Sequence, residues 1–572
     1  MIPDFQKAHI AGVERIAAWS DVLDDINVFP VADGDTGRNL ITSLTPLRYL
    51  EKDLEDTIHK LLLSARGNSG NIAVQFFSGF LTADSFETLV DAARTGRDQA
   101  WHAVGKPMPG TMLTVLDALV DFLEKNDFEN KPEYVASVID LLEESVKSTP
   151  ELLPRLRQAG VVDSGALGMY IFLEGFFKSL IGQHNEYRPL EKIFKGMLQI
   201  SPSYQVEMEE GYCVDTVIQF DENTGDKLSR LSEYGNNVVV IPHKDYLKVH
   251  FHTDNSSAAK AQIESLADVV RWTDDNIGSQ IKDFTRLQRQ GTIHIMTDAA
   301  GSVTREDSRE LGLTLLDSYI VAGEKSLPET LFAPGELYDT MRRGVRVSTS
   351  QASVFERHQY YQRVLSQYPR VLYICVGSVY TGNYDVAMAW KAQNDPEDRL
   401  TVIDSGTASG RLGAIVLVTA RYAFKAEDPQ AVINFARRAV QKCEEYVFLD
   451  KLKYLAAGGR LAKSSAFFGD LFNVKPIISP TAEGAKKVGA VKNRKGQLRY
   501  ALEKLEANFD KASSPFIMLE YSDNLDWVNE TVKHEIEVRY PGAKIMLQPL
   551  SLTSGVHMGP GTWAMAFLPQ EV

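Results

Sequence analysis

Apolar residues recur at helical spacing through most of the first 182 residues, as in Tyr134 to Val146, where valine, isoleucine and leucine return every three or four positions. Short glycine-bearing turns separate these stretches, so this part of the chain is predicted to be mainly helical. From about Tyr204 to Phe284 the texture becomes β-rich, with runs at Cys213 to Phe220 and Asn236 to His252, the second broken by a polar turn at His243 to Asp245. A small α/β domain is expected there. Beyond Gly291, short apolar runs such as Val371 to Val376 and Leu400 to Ile403 alternate with helical stretches such as Asp428 to Val447. That alternation predicts an α/β domain with a mixed or parallel sheet. Boundaries near residues 195 and 290 divide the chain into segments 1–195, 196–289 and 290–572.

A multidomain chain also suits the length of 572 residues, because one core serves about 100–200 residues. A hydrophobic share of 44% and a charged share of 24% exclude a disordered chain. The net charge of −15 turns the expectation away from nucleic acid. Three cysteines, odd in number and far apart, speak against a secreted disulfide framework. The first residues lack a basic region followed by an apolar core, and no apolar run approaches the ~20 residues that cross a bilayer. A cytoplasmic protein, not integral to a membrane, is expected.

The chemistry begins at Asn27 to Asn39, where Asp33-Gly34-Asp35-Thr36-Gly37 places two carboxylates around a glycine. Such a turn can aim both at one hard cation, and Mg²⁺ takes a few carboxylates together with phosphate oxygens. A solvated Asp-Gly turn would look the same. Ser64 to Gly70, Pro109 to Thr114 and Gly160 to Gly168 add three glycine-bearing turns that meet helices, where backbone N–H groups and the helix dipole can cradle phosphate. Close helix packing through glycine is the alternative. No Walker A sequence occurs.

These four segments, in this order, resemble the DhaL-type nucleotide-binding domain of dihydroxyacetone kinases and bacterial fatty acid kinases. The resemblance implies an all-α helical barrel that binds ATP at one end, with Asp33 and Asp35 as catalytic Mg²⁺ ligands. It also implies Asn27 as a further ligand or orienting group, with Thr36, Asn68, Ser69, Gly70 and Thr111 as nucleotide contacts. Two departures stand out: Arg38, where relatives commonly have a small hydroxyl residue, and Pro109, where they have an acid. Arg38 could neutralise transition-state charge or form an ion pair.

In Lys248-Val249-His250-Phe251-His252 the two-residue period puts both imidazoles on one face of a strand, where they can share a metal. Cys213, on another strand, could complete a Cys-His₂ set suited to Zn²⁺ if the strands adjoin. The middle domain of fatty acid kinases is similar in having a cysteine followed by H-x-H, which implies Cys213, His250 and His252 as the ligands.

The last segment carries hydroxyls at expected strand ends, in Thr297 to Ser302, Val347 to Ser353 and Gly377 to Gly382. Hydroxyls and turn amides can hold a carboxylate without a full positive charge. With Leu455 to Arg460, Asn473 to Ile477 and His557 to Thr562, these motifs resemble a DegV-type fatty-acid-binding protein over nearly all of Gly291 to Leu568. The resemblance implies that Thr349, Ser350, Thr381 and Gly382 hold a fatty acid carboxylate. It further implies Arg460 and His557 as basic catalytic residues beside it, and Gly559 and Gly561 as a turn that phosphate approaches.

The chain is therefore expected to be a fatty acid kinase that makes an acyl phosphate from ATP and a bound fatty acid, with kinase and acyl-binding domains fused. Mg²⁺ is the expected cofactor, with Zn²⁺ in the middle domain. A homodimer and transient contact with a membrane or an acyltransferase are further expectations. The competing readings are a dihydroxyacetone or polyol kinase, and a non-catalytic lipid-binding regulator.

Overall fold

The computed structural model describes residues 4–50, 53–126, 131–184, 186–219, 236–243, 245–285, 291–323, 325–457 and 474–569. Contacts divide the chain once, into units of residues 1–286 and 287–572. The boundary expected near residue 195 falls inside the first unit.

Helices build most of the first unit. The long helices Phe5–Asp25 and Ser164–Leu180 pack side by side through glycine: a Cβ on Gly12 would lie 2.6 Å from the Phe172 ring. Asp4 and Asp163 cap them, accepting from Lys7 N at 3.0 Å and Ala166 N at 2.7 Å. Phe77, Phe80, Phe172 and Phe176 surround the His9 ring in the core. That burial lowers the imidazole pKa to about 4. Arg15 and Glu174 form a fully buried ion pair at 2.7 Å, with the guanidinium 3.7 Å above the Tyr187 ring.

The same unit contains an antiparallel sheet of β1 (Tyr212–Gln219), β2 (Asn236–His243), β3 (Tyr246–Thr253) and β4 (Val269–Asn276), in the order β2-β3-β1-β4. Val214, Ile218, Val249 and Phe251 point to one face and pack on Ala259 and Ile263 of the helix Ser256–Glu264. The opposite face is polar. Register places Cys213 opposite His252 and Asp275, and Asp215 opposite His250 and Thr273, so all six share that face.

The second unit is α/β. Parallel strands β5 (His294–Asp298), β6 (Thr314–Leu316), β10 (Val371–Cys375) and β11 (Leu400–Asp404) form a sheet in the order β11-β10-β5-β6. β10 is buried throughout and reads as a continuous apolar run, as a strand covered on both faces should. A small antiparallel sheet joins β7 (Tyr319–Ala322), β8 (Lys325–Pro328) and β9 (Val347–Ser350). The third sheet is mixed, with β12 (Glu444–Phe448), β13 (Lys475–Thr481), β14 (Gly484–Val491), β15 (Phe516–Tyr521), β16 (Lys544–Pro549) and β17 (Trp563–Leu568) in the order β14-β13-β12-β17-β15-β16. The helix expected from Asp428 to Val447 stops at Lys442, because Tyr446, Val447 and Phe448 enter β12 and pack in the core. Among the described residues no helix is long and apolar enough to cross a membrane.

Candidate functional site

The first unit encloses a cavity of about 540 Å³. Asp33 and Asp35 line it, brought together by Gly34, whose φ of +62° and contact with the Phe284 ring exclude a side chain. Asn27 orients Asp33: its Nδ2 donates to Asp33 Oδ1 at 2.6 Å and to Val31 O at 3.0 Å. Its Oδ1 accepts from the hydroxyls of Thr36 and, at 3.1 Å, Ser164. Burial, and after it repulsion from Asp35, raises the Asp33 pKa well above the carboxylate range. Burial raises that of Asp35 also. Two desolvated carboxylates side by side, even with Arg38 nearby, fit a divalent cation such as Mg²⁺.

Asn68, Ser69, Thr36 and Thr111 line the same cavity. Gly70 does not. A Cβ there would lie 2.0 Å from Ser43 Oγ, so Gly70 serves helix packing rather than the cavity. Arg38 turns to Asp24, with Nε 3.0 Å from Oδ2, and also donates to the Gly34 carbonyl; the ion-pair alternative is the one observed. Pro109 is exposed and outside the lining. Asp163, which the sequence reading missed, lines the cavity at a helix N-terminus, where burial pushes its pKa up to about 7.

The polar face of the β1–β4 sheet forms another wall of this cavity. Cys213 and His252 line it together with Asn237 to Val239. The ligand atoms of Cys213, His250 and His252 lie within 4.8 Å of one another. His250 Nε2 is buried without a hydrogen-bond partner, while its Nδ1 faces Asp215 Oδ1 at 3.4 Å. That Nδ1 also lies 4.0 Å from Cys213 Sγ, so the imidazole is within reach of a metal shared with the sulfur. Burial, then the neighbouring His250, lowers the His252 pKa to about 3, which keeps it a neutral donor. Burial and the surrounding carboxylates push the Cys213 thiol well up, so a cation is needed to hold it as thiolate. The three side chains fit a transition metal such as Zn²⁺.

Asp215 escaped the sequence reading, although it follows Cys213 by two residues on the same face. Its oxygens accept from Gly67 N and Asn71 Nδ2, both at 2.9 Å, and lie 3.2 Å from Lys248 Nζ. Despite burial, the Lys248 ammonium, then the neighbouring His250 ring and the bond from Gly67 N, hold its pKa below the usual range. Arg66 reaches Asp275 Oδ2 at 2.5 Å from the same turn.

The second unit holds a narrower cavity of about 170 Å³. Thr349, Ser350, Thr381, Asn383 and His557 give it a polar side; Val376, Leu455, Ile478, Ala485 and Met558 give it an apolar one. Thr349 comes from the end of β9 and His557 from the helix Leu552–Met558. Gly382 lies outside the lining, because it is the N-cap position of the helix Asn383–Asn394. Asp298 fixes the loop that presents Thr381. It accepts from Val376 N at 2.8 Å, Asn383 Nδ2 and Tyr373 OH at 2.9 Å, and Arg357 Nη1 at 3.2 Å. Gly559 and Gly561 close onto Tyr454 and Asp450, and Gly561 N is taken by Asp523 Oδ1 at 2.6 Å, so packing explains that turn. Arg460 lies outside the described residues.

Comparison with known proteins follows this division. The DAK2 domain matches residues 30–178, the FakA-like middle domain of fatty acid kinases matches residues 209–283, and the DegV family, described as uncharacterised, matches residues 292–570. An uncharacterised protein of Staphylococcus saprophyticus is 29% identical over 328 residues, covering 52% of this chain and 59% of the relative. One of Staphylococcus aureus strain USA300 is 29% identical over 358 residues, covering 56% and 64%. The chain thus spans less than two thirds of these relatives. Among solved structures, a DegV family protein from Thermus thermophilus, described for its fatty acid binding, has 22% identity and a TM-score of 0.45, covering 48% of this chain and 99% of its own. DegV of Bacillus subtilis, described as a fatty acid binding protein, has 20% identity and a TM-score of 0.45, covering 49% and 100%.

Proposed function

We propose that this chain, in which a DAK2 domain, a fatty-acid-kinase-like middle domain and a DegV domain follow one another, transfers the γ-phosphoryl group of ATP to a fatty acid carboxylate. The observation that carries the reading is the presence, in one polypeptide, of the Asp33 and Asp35 carboxylates, the first held by Asn27, in a cavity of about 540 Å³ and of a second, part-apolar cavity with Thr349, Thr381 and His557 on its polar side.

The acceptor is already a nucleophile at neutral pH and needs no strong base. One of its oxygens bonds to the γ-phosphorus while the bridging phosphorus–oxygen bond breaks, and ADP leaves with the electron pair. Catalysis is then positioning and charge neutralisation. Asp33 and Asp35 would hold Mg²⁺, which when bound offsets phosphate charge. Asn68, Ser69 and Thr111 would contact the nucleotide, and Thr349 and Thr381 would orient the acid. His557 and Arg460 would stabilise the product's charge. Cys213, His250 and His252 would hold a transition metal in the wall of the nucleotide cavity.

Incubation of the full chain with γ-labelled ATP and Mg²⁺, in separate reactions with oleate, palmitate and dihydroxyacetone, tests the reading. A hydroxylamine-sensitive acyl phosphate from the fatty acids is expected. Phosphorylation of dihydroxyacetone alone, or binding of fatty acid without turnover, would overturn it.

A further inference from the structure

We propose that Asp215 is a positioning residue through which metal occupancy of the Cys213, His250 and His252 cluster and nucleotide affinity at the Gly67 turn are linked. The inference rests on the metal and nucleotide assignments proposed above and adds a coupling between them.

The geometry joins two groups far apart in sequence. One carboxylate, 4% exposed, touches His250 Nδ1 at 3.4 Å on its own sheet and Gly67 N at 2.9 Å on the helical side. Gly67 opens the helix that presents Asn68 and Ser69 to the cavity. Its φ of +61°, and the 2.1 Å that would separate a Cβ from Asn39 Nδ2, leave this turn little freedom. Asn71 ties the arrangement together, because its Nδ2 donates both to Gly67 O at 2.7 Å and to Asp215 Oδ1 at 2.9 Å. The same face carries Lys248, 3.2 Å from Asp215 Oδ1, and Asp275, paired with Arg66.

A metal held by Cys213, His250 and His252 fixes the His250 imidazole in one orientation. The Asp215 carboxylate, 3.4 Å from His250 Nδ1, is then fixed, and with it the Gly67 amide and the two nucleotide-contacting side chains that follow. Without metal the imidazole lacks that anchor, and the turn loses the constraint. Linkage makes the effect reciprocal, so nucleotide must tighten metal binding by the same factor.

The test uses the full chain and three probes: Zn²⁺, Co²⁺ and a non-hydrolysable ATP analogue with Mg²⁺. In the wild type, stripping Zn²⁺ should weaken analogue binding about tenfold by calorimetry, within the range usual for coupled sites. In Asp215→Asn, analogue affinity should be the same in the Zn²⁺-saturated and the stripped protein. The Co²⁺ spectrum of the variant should shift while its ligand number stays constant. Asn71→Ala removes one of the two bonds from Asp215 to the turn, leaves the bond from Gly67 N, and should weaken the linkage without touching the cluster, which covers a failure of Asp215→Asn to fold. Analogue affinity in metal-loaded wild type equal to that in stripped wild type overturns the linkage alone. A Zn²⁺ response in Asp215→Asn equal to that of the wild type does the same. Failure of the wild type to bind Zn²⁺ or Co²⁺ overturns the metal assignment and the linkage with it.

Discussion

The Thr349 hydroxyl and His557 Nε2 stand 3.3 Å apart, although 208 positions separate them in the chain. A strand end and a short helix thereby place a hydroxyl and an imidazole on the polar side of one cavity. Thr349→Val keeps the volume and deletes the hydroxyl. Losing a hydrogen bond to a charged carboxylate costs roughly 1.5–3 kcal/mol, about a 10- to 150-fold loss of affinity. Calorimetry should show that loss for oleate and none for ATP. Normal oleate binding with lost ATP binding would contradict the assignment of the two sites to separate units.

Asp33→Ala should abolish phosphoryl transfer at saturating Mg²⁺ and leave oleate binding intact, since it removes a cation ligand and little apolar surface. Asn27→Ala should act more mildly, raising the Mg²⁺ requirement because Asp33 loses its 2.6 Å donor. Activity titrated against Mg²⁺ separates the two effects. Wild-type turnover in Asp33→Ala would remove the metal role.

Elemental analysis of protein purified without chelators should find about one Zn²⁺ or similar ion per chain, held by the three-ligand cluster. Cys213→Ser should lose it. A metal content unchanged in that variant would place the ion elsewhere.

Stability should fall as pH rises from about 4.5 to 8, in part because of Glu329. Burial, and after it the charge of Asp317, pushes this carboxyl up to about 8. An acid whose pKa is higher folded than unfolded favours the folded state most at low pH. Its contribution declines once the unfolded chain loses its proton near 4.5, and is gone at the folded pKa. Between about pH 5.5 and 7.5 the change is on the order of 3 kcal/mol. Glu329→Gln should flatten this part of the profile in denaturant titrations; a profile as steep as the wild type's would show that Glu329 stays ionised.

What could be read from the sequence was whatever repeats locally. Helical spacing, the Asp33-Gly34-Asp35 turn and the two-residue alternation of His250 and His252 each lie within a few residues, and the structure has the helix, turn and strand they imply. Asp215 could not be found this way: its meaning comes from Gly67, 148 positions away, and a lone acid in a strand reads as an ordinary polar position. Gly70 and Gly382 show the opposite failure. Glycine before or within a helix serves packing and capping as readily as phosphate, and only the neighbours, Ser43 for one and the helix Asn383–Asn394 for the other, decide. The run after Lys442 was misread because an amphipathic helix and a buried strand share apolar residues when they adjoin without a glycine or proline between them.

The sheet wall of the larger cavity bears on how this protein can be cut or recombined. Severing the chain near residue 195 would bare Arg66, the Gly67 amide and the Asn71 side chain to water on one fragment, and leave Asp215, Lys248 and both histidines uncovered on the other. The portable piece is therefore the whole stretch up to residue 286. Chimeras that exchange the helical portion alone inherit half of an interlocking surface, and should regain function only when the strands that carry Cys213 and His250 travel with it.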